Sequence, residues 1–409
     1  MNNFKEFLIE SKKKRKINIP FLDTDTKRKI EKVIEENGGE IYIVGGAVRD
    51  AIRGEEDIKD IDFLVRFIPK EELSEILSTI SDKSEDGSPK VDSVGASFGV
   101  VKSTIDGIDF DFALPRVSED YDAKVESDLG SRDFTFNAMA VDMNGNLIDP
   151  FNGYQDIQNK RIKAVGDPYK RFDEDPLRML RALQFSTRMG YDLEEKTKKA
   201  IETMQDELVA KTEDGKLRVA GDRVIEEFKK AWLKGKEGTK ILIDLLKDTN
   251  IGLTLFGENF DPIEIKGKDV ELQTLSFFFN GGEEKLRGEW NAPSRYLDII
   301  DLARNFDGEE EPWTFVNDTN KKWMPVVLDF FEQVGNNVAV NRVEKSLDDA
   351  IPLSPKELDV SGKDLMDFGG IKGAEIGIMQ RELLSAIWRG KVKNYKEKLL
   401  DYLFGEEDV

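Results

Sequence analysis

The feature that most restricts this chain is a change of hydrophobic period near residue 150. Before it, short apolar runs are bounded by turn signals; beyond it, apolar residues recur at helical spacing. Ile41-Tyr42-Ile43-Val44 stops at Gly45-Gly46, and 47–53 then reads as a helix. Residues 60–65 form a second predicted strand, one βαβ-like step later, and 70–80 has helical spacing. The runs 100–105 and 108–113 flank Asp106-Gly107, a two-residue hairpin signal. Further on, 175–189, 193–209, 222–232 and 239–246 read as helices, as do 378–388 and 395–404. The expected fold class is α+β, a mixed-sheet head followed by a long all-helical body. A chain of 409 residues has room for two or more domains.

Two absences bound the chemistry. The chain has no Cys, which removes thiolate nucleophiles, disulfides and Cys-type metal sites, and no His, which removes imidazole bases and Ser-His-Asp triads. Catalysis would rest on carboxylates, cationic side chains, hydroxyls and hard oxygen-bound metals such as Mg²⁺. Lys and Arg number 61 against 82 Asp and Glu, a net charge of −21. That excess argues against a general nucleic-acid coat but leaves room for a local basic face, with 160–171 and 391–398 as candidates. No apolar run approaches the roughly 18 residues of a membrane span. The basic run at 12–16 follows a weak apolar stretch, the reverse of a secretory signal, so a cytoplasmic location and no membrane partner are expected.

Three stretches carry chemistry-bearing residues. In Asp60-Ile61-Asp62, strand alternation turns Ile61 inward and both carboxylates to the opposite face, where they repel unless a cation bridges them. Gly45-Gly46 joins strand to helix, allowing close approach to a phosphate, with Arg49 near enough to add donors. Ile108-Asp109-Phe110-Asp111-Phe112 repeats the two-carboxylate device, and either Asp109 or Asp111 could complete a three-carboxylate cluster if this strand lies beside Asp60. Such a cluster suits two Mg²⁺ ions about 3.5–4 Å apart, the arrangement that promotes in-line phosphoryl transfer. The plainer alternatives are a solvated strand and an ordinary tight turn. Along 174–189, Asp175, Arg178, Arg181 and Gln184 recur every three residues on one predicted face, with Leu177, Leu180 and Leu183 on another. A carboxylate beside a guanidinium matches the donor-and-acceptor edge of C and A and rejects G and U. The same spacing also suits a salt-bridged solvent face.

Taken together, these residues resemble the nucleotidyltransferase superfamily, specifically class II tRNA nucleotidyltransferases (CCA-adding enzymes) and their poly(A) polymerase-like relatives. The resemblance runs through Gly45-Gly46-Ala47-Val48-Arg49-Asp50, Asp60-Ile61-Asp62 and Asp111-Phe112-Ala113-Leu114-Pro115-Arg116. It continues through 131–140, which opens Ser131-Arg132-Asp133, then Glu174-Asp175-Pro176-Leu177-Arg178 and Asp222-Arg223-Val224-Ile225-Glu226-Glu227. A further match spans 360–366 and 390–394. It implies a polymerase β-like palm in a catalytic head at 41–150 after a lead-in at 1–40, then a nucleotide-selecting neck at 151–235, a body at 236–345 and a tail at 346–409. It makes Asp60 and Asp62 the metal ligands and Asp111 the third catalytic carboxylate. Gly45, Gly46, Arg49, Arg132, Asp133, Asn137, Asp175, Arg178 and Arg181 fall on nucleotide-binding positions. The implied activity adds CCA to tRNA 3′ ends from CTP and ATP with Mg²⁺, releasing pyrophosphate. Alternatives are a poly(A) polymerase, a CC-only or A-only enzyme, or a non-catalytic tRNA binder. Where the family usually has Arg, this chain has Ser131 and Gln184, and each departure removes a cation.

Overall fold

A computed structural model describes residues 15–58, 60–92, 100–115, 124–232, 236–258, 260–262, 270–279, 294–305, 324–338, 340–341, 344, 351–352 and 354–405. Arg116 and the basic run at 12–14 lie outside them. The chain divides into two compact units, Met1–Leu208 and Val209–Val409.

The first unit is built on a mixed sheet. Helix α1 (Asp25–Glu36) leads into β1 (Glu40–Val44), α2 (Gly46–Arg53), β2 (Asp62–Arg66) and α3 (Lys70–Ser78). Next come β3 (Val91–Asp92), β4 (Val100–Ile105) and β5 (Ile108–Ala113), then α4 (Val125–Gly130), β6 (Ala140–Asp142) and β7 (Leu147–Ile148). The sheet order is β3-β4-β5-β2-β1-β6-β7. The expected hairpin forms with Ile105 opposite Ile108, and Asp106 and Gly107 both take the positive φ that such a turn requires, 52° and 78°. Strand β2 is central and buried on both faces: Phe63 packs with Phe21, Phe110 and Phe112, while Leu64 joins Val44, Val125, Leu129 and Ala140.

Two expectations need correction here. The step from β1 to β2 is antiparallel, with Tyr42 opposite Leu64, and the parallel partner of β2 is β5. The β1–β2 connection is long enough for a crossover, and periodicity within a strand carries no information on its direction. Strand β2 also begins at Asp62, so Asp60 precedes the ladder, although the alternation holds, with Ile61 buried between two exposed aspartates.

Beyond the sheet, α5 (Gly153–Gln158) and β8 (Arg161–Ile162) precede α6 (Pro168–Glu174) and α7 (Leu177–Met189), with β9 (Asp192–Leu193) and α8 (Glu195–Met204) completing the unit. The helix expected over 175–189 forms as α7 and starts two residues later than expected, because Asp175 is extended at φ −150°, ψ 101° and separates it from α6. Pro176 is the cause, since its ring disfavours helical backbone in the residue before it. Gln184, expected beside Arg178 and Arg181, is instead 2% exposed. Helix α7 is covered on most of its circumference, with Met179, Ala182, Ser186 and Thr187 buried alongside the leucines.

The second unit is mainly helical in its described residues, after a turn bridged by Lys211 and Leu217. Helices α9 (Gly221–Trp232), α10 (Lys236–Asp248), α11 (Ile251–Phe256) and α12 (Val270–Phe279) gather Phe228, Trp232, Phe256 and Phe277 into one aromatic core. Helices α13 (Ser294–Asn305) and α14 (Met324–Gln333) follow. Then come α15 (Gly362–Gly369), opened by a Ser361–Asp364 capping box, α16 (Ala374–Trp388) and α17 (Lys396–Phe404).

Candidate active site

The parallel pairing of β2 with β5 sets Asp62 directly opposite Asp111. Asp109 lies two residues away, about 7 Å along the strand, and accepts a 2.6 Å hydrogen bond from Thr104 Oγ1. Register thus distinguishes two aspartates that alternation leaves equivalent. On the other side of Asp111, β4 supplies Lys102, whose Nζ stands 3.2 Å from Asp111 Oδ1; both side chains are about half exposed. Asp60 is exposed and lies two residues before Asp62, just ahead of β2. Among the described residues no group of three carboxylates forms a ready-made metal cage. The donors present are oxygen only, which suits a hard divalent cation.

Against this edge lies the Gly45 turn. Gly45 has φ 70°, ψ −126°, backbone that side chains with a Cβ rarely adopt. A Cβ placed there would meet Arg132 Nη1 at 3.1 Å and Asp62 Oδ2 at 3.6 Å. Residues from three distant points of the sequence therefore share one small space. Arg49 Nη2 comes within 3.5 Å of the equivalent point on Gly46. Helix α2 starts at this turn, and its first N–H groups have no partners within the helix.

Behind the turn runs a chain of charged and amide groups. The Arg49 guanidinium donates from Nε and Nη2 to both oxygens of Asp50, at 2.8 and 2.7 Å, and from Nη1 to Asn137 Oδ1 at 2.9 Å. Asn137 Nδ2 donates to Asp133 Oδ1 at 3.2 Å, and Arg181 grips Asp133 Oδ2 with Nε at 2.9 Å and Nη2 at 2.6 Å. Burial pushes the Asp133 carboxyl pKa upward, but the Arg181 charge and the hydrogen bonds from Arg181, Asn137 and the Phe134 N–H outweigh it, holding the group below the usual carboxylate range. Arg132 donates from Nε and Nη2 to Asp128 Oδ2, at 3.2 and 3.1 Å. Arg178 bonds the Arg171 carbonyl, Glu174 Oε2 and the Ser131 carbonyl, while Asp175 Oδ1 accepts the Leu177 N–H at 3.2 Å. Arg178 and Arg181 are thereby tied to the 131–133 segment that also delivers Arg132.

Sequence reasoning missed four members of this constellation: Asp50, Asp128, Glu174 and Lys102. All four were within reach. Asp50 adjoins Arg49, Asp128 stands four residues before Arg132, and Glu174 four before Arg178, the spacing of helical ion pairs. Lys102 follows from the hairpin, because a two-residue turn at 106–107 pairs 102 with 111. Arg171, in the basic stretch 160–171, is engaged internally by the Gly130 carbonyl and Glu174.

A mixed sheet with carboxylates level on adjacent strands, faced by a Gly turn and an arginine, defines a nucleotidyltransferase head. Residues 41–163 match the Poly A polymerase head domain family. The chain is 30% identical to the CCA-adding enzyme of Geobacillus sp. (strain WCH70), covering 91% of this chain and 95% of that one. It therefore belongs to the CCA-adding enzyme family of tRNA nucleotidyltransferases. The fold is also that of the Bacillus stearothermophilus CCA-adding enzyme in complex with CTP (TM-score 0.61, 23% identity, 93% of this chain and 97% of that one). A Thermotoga maritima CCA-adding enzyme complexed with tRNA is similar as well (TM-score 0.58, 21% identity, 95% and 99%). No helix among the described residues is long and apolar enough to cross a membrane.

Proposed function

We propose that this chain adds C, C and A to the 3′ end of tRNA from CTP and ATP, releasing pyrophosphate, in the cytoplasm. The observation that carries the reading is the space shared by Gly45, Asp62 and Arg132, with Asp111 level with Asp62 on the neighbouring strand. Asp60 and Asp62 would hold Mg²⁺, with Asp111 the third catalytic carboxylate, and their oxygen-only donor set fits such a cation. The bound metal supplies a lowered pKa for the attacking hydroxyl and charge neutralisation at the phosphates. The chain's own part is positional. The Gly45–Gly46 turn lets a triphosphate approach the backbone, Arg132 offers it a charged donor, and Asp175 and Arg178 read the base edge. Arg49, Asn137, Asp133 and Arg181 form the joint that fixes the base-reading helix against that turn. We assign 41–150 to the head, 151–235 to the neck, 236–345 to the body and 346–409 to the tail.

The test is direct. Purified protein with Mg²⁺ and a tRNA transcript lacking CCA receives each labelled nucleoside triphosphate singly and in pairs. Two C residues followed by one A support the proposal. Long A tails would replace it with poly(A) synthesis, C alone or A alone with a partial enzyme, and no incorporation with a tRNA binder.

A further inference from the structure

Arg132 follows the short helix α4 and ends beside the Gly45 turn, yet its long side chain has several rotatable bonds and would sample many rotamers if left alone. Asp128, four residues earlier, prevents that. Its carboxylate is 1% exposed and takes two of the three guanidinium nitrogens, Nε and Nη2, on the single oxygen Oδ2. The third nitrogen, Nη1, is the one 3.1 Å from the Gly45 Cβ position, with the Asn137 carbonyl 3.5 Å away. Two anchored nitrogens fix both the plane and the rotation of a guanidinium, so the direction of Nη1 is set from behind.

We infer that Asp128 is a positioning residue for nucleotide binding: it aims Arg132 Nη1 at the Gly45 turn, where a triphosphate lies on the function proposed above, and on which this inference rests. Two effects of the carboxylate oppose each other. Its negative charge weakens the attraction of Arg132 for phosphate, whereas its grip keeps the donor aligned. Removing only the charge decides between them, because electrostatics alone predicts tighter nucleotide binding and positioning predicts weaker. Positioning wins on geometry: the carboxylate lies behind the guanidinium, away from the turn, and hydrogen-bond strength falls steeply with misalignment.

The experiment measures CTP and ATP binding by calorimetry, without tRNA, for the wild-type protein, Asp128→Asn, Arg132→Ala and the double variant. The expected result for Asp128→Asn is a loss of about tenfold in nucleotide affinity, the order of one misdirected charge-assisted hydrogen bond. In turnover assays KM for CTP rises while kcat changes less. Adding Asp128→Asn to Arg132→Ala should weaken binding no further than about twofold, since a positioning residue has nothing left to position. Unchanged or tighter binding by Asp128→Asn overturns the inference, and so does an undiminished loss in the Arg132→Ala background, which would mean a general structural role. Melting curves accompany each variant; Asp128→Asn keeps the side-chain shape and so remains informative where alanine would disturb the fold. A wild-type protein that binds CTP but fails to extend tRNA counts against the polymerising function alone.

Discussion

Replacing Asp133 with alanine would strip Arg181 of bonds from Nε at 2.9 Å and Nη2 at 2.6 Å, and leave Asn137 Nδ2 and the buried Phe134 N–H without their acceptor. Removing one partner of a fully buried ion pair costs about 3–5 kcal/mol. The Arg181 side chain is 31% exposed, so water can rescue part of its charge and the ion-pair share falls to about 2 kcal/mol. The orphaned Phe134 N–H adds about 1 kcal/mol or more, for a total near 3 kcal/mol. In a unit of this size that lowers Tm by roughly 6–12 °C. The loss should also depend on pH. Because the folded carboxyl titrates below its unfolded value, its contribution is complete above about pH 4 and disappears as the pH falls through the folded pKa. The gap between wild type and Asp133→Ala therefore narrows in acid. Urea denaturation followed by circular dichroism at neutral and acidic pH measures both effects. A difference below about 1 kcal/mol at pH 7, or one independent of pH, would refute the assignment of Asp133 as the buried anchor of Arg181.

Three further outcomes follow from the same geometry. Asp60→Ala combined with Asp62→Ala should reduce nucleotide incorporation by about a thousandfold or more, several kcal/mol of transition-state stabilisation, while tRNA affinity in a filter-binding assay is retained; retained turnover would defeat the metal-ligand role. Asp175→Ala removes the 3.2 Å bond to the Leu177 N–H, so melting should shift by about 1 kcal/mol, whereas misincorporation of G and U should rise. Unchanged selectivity among the four triphosphates would sink its part in base choice. Gly153→Ala would bring a Cβ within 2.1 Å of the Thr135 carbonyl oxygen, a backbone atom with little room to move. The expected loss is about 2–3 kcal/mol, and a Tm within error of wild type would show that α5 does not pack as described.

Local signals were the legible ones. The 100–113 hairpin is announced by its two-residue turn, and the strand before Gly45-Gly46 by its apolar run, because both depend only on neighbouring residues. Asp111 and Asp109 share a face in any strand, and what separates them is a parallel register with a strand more than 40 residues distant, which spacing cannot encode. The later start of α7 was legible through Pro176, whose steric demand on the preceding residue keeps Asp175 out of the helix. Asp128 shows the opposite limit. Its spacing to Arg132 is that of an ordinary surface ion pair, and only burial marks it as something else.

The two departures from the family pattern look different once side chains are placed. Ser131 folds its hydroxyl back onto the Asp128 carbonyl at 2.7 Å, and it serves Arg178 through its own carbonyl, a contact that any residue at 131 could provide. Gln184 is sunk in the core with Nε2 lacking a hydrogen-bond partner among the described residues, so the amide there bears on the packing of α7 rather than on charge near the Gly45 turn. Of the arginines close to that turn, Arg49 is clamped by both oxygens of Asp50 and by Asn137. Arg132 is the one held so that a guanidinium nitrogen faces Gly45 beside the Asp62 carboxylate. On the function proposed above, recognition of phosphate at this turn would depend less on how many cations the sequence supplies than on how firmly one of them is aimed.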